Sequence, residues 1–234
     1  MGIISGLEPP QPFKQALSES REFSIIAEIK RASPVKGDLG PGFDPLKLAW
    51  AYRKGGARAI SVITEEHHFK GSRTYIKPVK QLTGLPVLGK DFIIDQYQVY
   101  EARANGADAL LLIVAILDKQ LLSNLLKLTR SLEMEALVEI HDRKELETAL
   151  NAGAKMIGIN NRNLKNFQVN LATTLELAGL VPDDVLVVGE SGIRFREDIL
   201  RLHEAGVNAA LVGEALIRAG SPEAKLKTLL GNRA

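Results

Sequence analysis

The chain has 234 residues, which is more than a typical small domain but usual for a single barrel. Its hydrophobic share of 45% allows a sizeable core, and a net charge of +2 gives no electrostatic reason to expect nucleic acid or an anionic membrane surface as partner. Cysteine is absent, which excludes disulfides and thiol chemistry and fits a cytoplasmic protein. The longest apolar run (109–117) is about half of a membrane span, and residues 1–13 lack the pattern of a signal peptide.

Eight apolar runs of strand length recur along the chain. Each is nearly continuous, as expected when both faces of a parallel sheet are buried. The runs are residues 24–30, 59–64, 86–90, 107–114, 135–140, 155–160, 185–190 and 208–213.

Segments of helical period and composition separate these runs. Several begin at an Asp that can cap a helix and close at a glycine. The clearest are residues 44–56, 95–107, 118–133, 142–154 and 196–207, and a short helix is predicted over 13–20.

This alternation predicts an α/β protein with a closed (β/α)8 barrel as its single domain. The barrel is expected over residues 24–234, with residues 1–23 as an N-terminal extension. A doubly wound open sheet is the alternative, but no strand is followed by G-x-G-x-x-G or by a P-loop.

Polar side chains stand at the ends of six of the eight predicted strands. In such barrels the reacting groups sit at the C-terminal ends of the strands, so these side chains are expected around one mouth. Each taken alone is more often a solvated strand end or a structural ion pair; together they favour a site for proton transfer. The residues are Glu28, Lys30, Lys90, Glu139, Asn160, Glu190 and Glu214.

The first strand carries two charges of opposite sign on its inward face. Glu28 and Lys30 alternate with apolar neighbours and share the face of Ile26. Buried charges are costly unless they are paired or used. The pair therefore indicates a ligand pocket at the top of the barrel, or else an ion pair that plugs it.

The loops after strands 7 and 8 are rich in glycine, at residues 189–195 and 212–220. Glycine lets the backbone approach a ligand closely, and loops at this place in barrels often bind phosphate. Phe69 and Phe92 each lie just past a strand end, where they can wall an aromatic substrate or pack under a loop. His141 and His203 are interpreted as surface residues, and Glu65–Glu66 as part of a solvated loop.

Ordered motifs at the strand ends resemble the indole-3-glycerol-phosphate synthase family of tryptophan biosynthesis, from about residue 13 to about residue 222. They are IAEIKRASP (26–34), TEEHHFKGS (64–72), KDFIID (90–95), YEARANGADALLLI (100–113), LVEIH (137–141), IGINNRNL (157–164), ESGI (190–193) and LVGEALIRA (211–219). The resemblance implies conversion of 1-(2-carboxyphenylamino)-1-deoxyribulose 5-phosphate into indole-3-glycerol phosphate. Carbon dioxide and water are released, and neither cofactor nor metal is needed.

The resemblance also implies roles for the residues. Lys90 is similar to the general acid for ring closure, Glu139 to its proton-transfer partner, and Lys30 to a substrate-holding lysine that protonates the leaving hydroxyl. The sequence alone does not settle which lysine serves which step. The remaining residues form three groups: Glu28, Asn160 and Glu190 orient the lysines and substrate hydroxyls; Ser33, Ser191, Gly192, Gly213 and Glu214 bind phosphate and sugar; Phe69, Phe92, Ile113 and Arg162 line the anthranilate pocket and its rim.

One departure from the family concerns the N-terminus. Only 27 residues precede Glu28, and MGIISGLEPP does not resemble the helix that closes over the mouth in the family. The extension is therefore expected to be shortened, with weaker closure over the substrate. Two alternatives remain: an isomerase of the same pathway, disfavoured by the lack of cysteine, and an idle, truncated or engineered phosphosugar-binding barrel. The sequence allows a monomer without fixing the oligomeric state.

Overall fold

The computed structural model describes residues 6–19, 23–34, 37–38 and 42–232. Parts of the predicted extension (1–5 and 20–22) and residues 233–234 lie outside this range. Among the helices of the described residues, none combines the length and apolar character that a membrane span needs.

Eight parallel strands close into a barrel, which confirms the predicted fold class. Each strand pairs with its neighbour in sequence, and the last pairs with the first through the register Ser24↔Ala209 to Ala27↔Val212. The strands are β1 Ser24–Ile29, β2 Ala59–Ile63, β3 Val87–Lys90, β4 Ala109–Ile113, β5 Glu135–Ile140, β6 Met156–Asn160, β7 Leu186–Glu190 and β8 Ala209–Val212.

The helices predicted with a range are present, but each is shorter than predicted at one or both ends. Asp44, Asp95, Asp118 and Asp142 are N-caps whose side chains accept backbone N–H groups, so they precede their helices. The helices are α1 Phe13–Ser18, α2 Pro45–Gly55, α3 Ile76–Thr83, α4 Gln96–Ala104, α5 Lys119–Ser131, α6 Arg143–Asn151, α7 Ala172–Ala178, α8 Arg196–Glu204, α9 Glu214–Ile217 and α10 Pro222–Leu230.

Two apolar clusters hold the barrel together. The outer cluster packs the strands against the helices and includes Ile25 and Ile29 of β1. The inner cluster fills the barrel and includes Ile26 of β1. Alternation along β1 therefore sends Ile26 and, two residues on, Glu28 toward the barrel axis. All six residues of β1 are buried, which agrees with a strand covered on both faces.

Helix α1 closes the bottom of the barrel, at the end opposite the mouth. Phe13 and Leu17 are buried in the inner cluster. The backbone N–H of Gln11 donates to Asp108 Oδ1 at 2.6 Å, and that of Lys14 donates to a carboxylate oxygen of Glu135, so the segment is tied to the starts of β4 and β5. Among the described residues, this segment therefore covers the amino ends of the barrel strands.

A small hairpin follows β1 and was not anticipated from the sequence. Ala32–Ser33 pairs antiparallel with Gly37–Asp38, and Ala32 N–H donates to the carbonyl of Phe69 at 3.0 Å. Two-residue strands are too short for a period to show. The hairpin places Ser33 at the mouth, next to the loop that carries Phe69.

Candidate active site

A cavity of about 340 Å³ opens at the carboxyl ends of the strands. It is lined by all the predicted site residues except Glu190: Glu28, Lys30, Ser33, Phe69, Lys90, Phe92, Ile113, Glu139, Asn160, Arg162, Ser191, Gly192, Gly213 and Glu214. Glu190 is buried, with 1% of its surface exposed, and contacts the cavity lysine Lys90. The structure thus brings the predicted residues together, while their individual roles stay predictions.

Lys90 lies at the centre of the charged floor. Its Nζ donates to Glu28 Oε2 at 3.0 Å and to Glu190 Oε2 at 3.2 Å, joining β3 to β1 and β7. Burial works to lower the pKa of Lys90, but Glu28, Glu190 and Glu139 outweigh it and raise that pKa above its usual value. Lys90 is therefore an ammonium at neutral pH, and it lines the cavity.

Glu28 is held between two cations. Its Oε1 lies 2.8 Å from Lys30 Nζ, while its Oε2 accepts from Lys90. Burial favours the neutral acid, yet Lys30 and Lys90 together lower the pKa of Glu28 to about 2. Glu28 and Lys30, at the end of β1, thus form an ion pair, and Lys30 also lines the cavity. The geometry is therefore compatible with both a ligand pocket and an ion pair that plugs the barrel.

Glu190 behaves differently from Glu28, although both contact Lys90. Burial raises the pKa of Glu190 to about 7, and Lys90 only partly offsets that rise. Its Oε1 is buried and has no hydrogen-bond partner among the described residues. A carboxyl that titrates near neutrality suits proton transfer.

Two glycines make room for these carboxylates. A Cβ at Gly158 would stand 2.2 Å from Glu190 Oε1, and one at Gly213 would stand 2.4 Å from Glu28 Oε1. Real Cβ atoms do not approach other atoms so closely, so any side chain there would displace a carboxylate. Gly213 therefore has a steric function beside the backbone role predicted for it.

Glu139 projects from the end of β5. Asn160 Nδ2 donates to its Oε1 at 3.1 Å, and Asn160 Oδ1 accepts the Arg162 N–H at 3.0 Å. Burial works to raise the pKa of Glu139, but His141, Lys90 and Asn160 lower it below its usual value. The carboxylate is thus ionised at neutral pH, and it lines the cavity.

An apolar wall faces this charged floor. The rings of Phe69 and Phe92 lie 6.3 Å apart between centroids and are tilted by 48°. Ile113 lines the cavity with Leu111 and Ile116. A flat aromatic group fits such a wall, while a charged or hydroxylated chain would face the opposite side.

The loop after β7 has left-handed backbone at two successive residues. Ser191 has φ +63° and Gly192 has φ +82°. Such turns present successive backbone N–H groups that bind anions. Gly213 also lines the cavity, and Glu214 beside it pairs with Arg218 at 3.4 Å, which offsets its negative charge.

Sequence reasoning missed three polar residues. His141 is not a surface residue: its side chain is only 14% exposed, because it is packed between Glu139 and Glu145.

Glu65 is not merely solvated, since its carboxylate accepts the backbone N–H groups of His67, His68 and Phe69 and so orders the loop that carries Phe69. Asp91 lines the cavity and accepts from Thr64 Oγ1 at 2.6 Å. His203 is exposed, as predicted.

Among the described residues, no group of three or more His, Asp or Glu side chains is arranged to hold a metal ion.

Solved structures of low sequence identity share the fold. A 3-hexulose-6-phosphate synthase matches with a TM-score of 0.72 and 17% identity, over 90% of this chain and all of the other. A mandelate oxidase variant matches with a TM-score of 0.67 and 17% identity, over 89% of this chain and 72% of the other. At this identity the likeness concerns the barrel alone.

Sequence comparison identifies the family as well as the fold. Residues 5–229 match the family model described as indole-3-glycerol phosphate synthase. Proteins of that name are 50% identical in Dehalococcoides mccartyi, over 95% of this chain and 87% of the relative, and 51% identical in Polaromonas naphthalenivorans, over 89% and 79%. One from Carboxydothermus hydrogenoformans is 49% identical over 94% and 85%. The chain belongs to the indole-3-glycerol phosphate synthase family.

Proposed function

We propose that the charged floor of this barrel carries out the acid–base steps of the indole-3-glycerol phosphate synthase reaction. Family membership makes the protein a carboxy-lyase that forms indole-3-glycerol phosphate from a phosphoribulose derivative of anthranilate. The observation that carries the assignment of steps is the ammonium of Lys90, held between Glu28 and Glu190 at the cavity floor. This arrangement argues against an idle barrel, because it keeps a protonated acid at a ligand site.

Ring closure requires a proton donor at the substrate carbonyl oxygen. Attack of the aromatic carbon places negative charge on that oxygen, and the ammonium of Lys90 neutralises it by proton transfer. Glu28 and Glu190 fix the position of Nζ, so little reorganisation is needed when the charge develops. Decarboxylation then restores the aromatic ring.

Dehydration requires a second acid and a base. Lys30, at the rim of the floor, holds the substrate and protonates the departing hydroxyl. Glu139, kept ionised by its neighbours, accepts the proton whose loss completes the indole. The two lysines are thus assigned to separate steps, and Asn160 and Arg162 orient the hydroxylated chain beside Glu139.

The substrate is oriented by the two contrasting walls of the cavity. Its aromatic ring packs on Phe69, Phe92 and Ile113, which are apolar. Its phosphate binds the backbone N–H groups of the loops at Gly192 and Gly213, with Ser33 and Ser191 at the same end. A cytoplasmic location and a monomeric state stay predictions.

Lys90→Ala tests the assignment of the general acid. We expect kcat to fall by about 10²-fold or more, the usual scale for loss of a general acid. The matched control is Lys54→Ala, because Lys54 is an exposed lysine that pairs with Glu223 on the outer helices. Turnover is followed by indole fluorescence, and near wild-type kcat in Lys90→Ala would remove this lysine from the mechanism.

Lys30→Met separates a functional lysine from a structural plug. Glu28 keeps Lys90 as a partner at 3.0 Å, so no buried charge is left uncompensated and the cost should stay well below the 3–5 kcal/mol of a broken buried pair. We expect a large loss of kcat/KM with a nearly unchanged urea midpoint at pH 7. A large loss of stability with activity per folded molecule preserved would show that Lys30 is a plug.

Phosphate binding is tested directly by crystallography. A crystal grown in phosphate should show the anion against the backbone N–H groups of Gly192 and Gly213, which both line the cavity. A crystal grown without phosphate or sulfate provides the reference density. Anion bound elsewhere in the cavity, with these loops empty, would contradict the assignment.

A further inference from the structure

A chain of three ionisable side chains runs from the cavity wall toward the outside of the barrel. Glu139 lines the cavity, His141 lies behind it, and Glu145 follows on α6 with 20% of its side chain exposed. His141 Nε2 is 3.3 Å from Glu139 Oε1, and its Nδ1 is 3.0 Å from Glu145 Oε2. His141 does not line the cavity, so any effect it has on the reaction acts through Glu139.

The local fold fixes the imidazole ring in this place. Asp142 caps α6 by accepting the N–H of Glu145 at 2.9 Å, which sets the first turn of the helix. From that turn, the Glu145 carboxylate reaches back to the His141 backbone N–H at 2.8 Å as well as to Nδ1. One carboxylate thus holds both the backbone and the ring of His141.

The other ring nitrogen has a single acidic contact. Nε2 is buried and makes no hydrogen bond of standard geometry with the described residues, and Glu139 Oε1 is within ion-pair distance. The same oxygen accepts from Asn160 Nδ2 at 3.1 Å. Glu139 Oε1 therefore accepts a hydrogen bond from an amide of β6 and lies within ion-pair distance of the imidazole.

The surrounding charges favour the imidazolium form of His141. Burial works to lower the pKa of His141, but Glu139 on β5 and Glu145 on α6 raise it to about 10. On the far side of Glu139, Lys90 from β3 is the other cation that lowers the pKa of this carboxyl, and Asn160 from β6 is neutral. Glu139 thus faces one cation on the cavity side and a second behind it.

We propose that His141, anchored by Glu145, is a positioning residue that keeps Glu139 ionised and correctly oriented for proton transfer. This inference rests on the proposed role of Glu139 as proton acceptor. A purely structural imidazole would add to the stability of the β5–α6 connection without changing how Glu139 titrates. The two possibilities are therefore distinguished by pH dependence rather than by stability.

His141→Gln provides the first test. Loss of the cation removes one of the two charges that oppose the effect of burial on Glu139, so its pKa should rise. The acid limb of the kcat/KM–pH profile should therefore move to higher pH by about 1 unit or more. Turnover of the variant should fall most at low pH and recover at pH values above the shifted acid limb. A profile that superimposes on that of the wild type would overturn the proposal.

Glu145→Gln provides a second test that leaves the imidazole in place. It should shift the acid limb in the same direction but by less, because it weakens only the anchor of the ring. The acid limb of the double variant should shift no further than that of His141→Gln alone, since both substitutions act on Glu139 through the His141 ring. Shifts that simply add would overturn the proposal. His203→Gln, an exposed histidine on α8, is the control and should leave the profile unchanged.

Glu139→Gln distinguishes this inference from the proposed function. If Glu139→Gln keeps wild-type turnover, the role of Glu139 itself fails, and with it the reason to position it. If Glu139→Gln is inactive while the His141→Gln profile matches the wild type, only the role of His141 is overturned. A shifted profile together with an inactive Glu139→Gln supports both.

Discussion

The ammonium of Lys90, held between Glu28 and Glu190 inside the barrel, is the interaction on which the rest of the site depends. Charges buried this deeply are stable only when each has a partner in good geometry. The barrel supplies the partners from β1 and β7, and Lys30 adds a second cation for Glu28. Gly158 and Gly213 leave the space that these carboxylates occupy. The positions of the buried charges therefore depend on glycine at these two backbone positions, and a side chain at either glycine would displace a carboxylate.

The carboxylates around Lys90 differ in protonation because their neighbours differ. Burial works to raise the pKa of both carboxyls. At Glu28 two close cations outweigh burial and lower the pKa to about 2, whereas at Glu190 burial, helped by the charges of Glu139 and Glu28, outweighs Lys90 and raises the pKa to about 7. Glu139 stays ionised through His141, Lys90 and Asn160. The site thus combines a permanent anion, a buried carboxyl that titrates near neutrality and a protonated lysine, which is what a sequence of acid and base steps requires.

Much of this arrangement could be predicted from the sequence, because it follows from alternation and fold. The eight apolar runs define the barrel, and the barrel rule places strand-end residues such as Lys90 and Glu139 at one mouth. The period of two also sends Glu28 inward beside Ile26. Helix ends were predicted one to three residues too long, since cap residues such as Asp44 look like helix in a periodic pattern.

Other features depend on contacts that no local pattern contains. His141 and Glu65 look like ordinary loop residues, and their roles come from where Glu145 and the backbone of residues 67–69 lie in space. The spacing of His141 and Glu145, four residues apart at the start of a helix, was the signal that could have identified that pair. The antiparallel pairing of Ala32–Ser33 with Gly37–Asp38 gave no signal because each strand has two residues.

The difference between Glu28 and Glu190 is the central claim, and a carbon-13 NMR titration of side-chain carboxyls tests it most directly. Glutamate would be labelled at its side-chain carboxyl carbon, and Glu190→Gln would assign the signal of interest. A signal that titrates near pH 7 and disappears in Glu190→Gln, with Glu28 still ionised below the usual glutamate value of 4.5, is the predicted result. Both carboxyls titrating together near 4.5 would contradict the electrostatics on which the proposed mechanism rests.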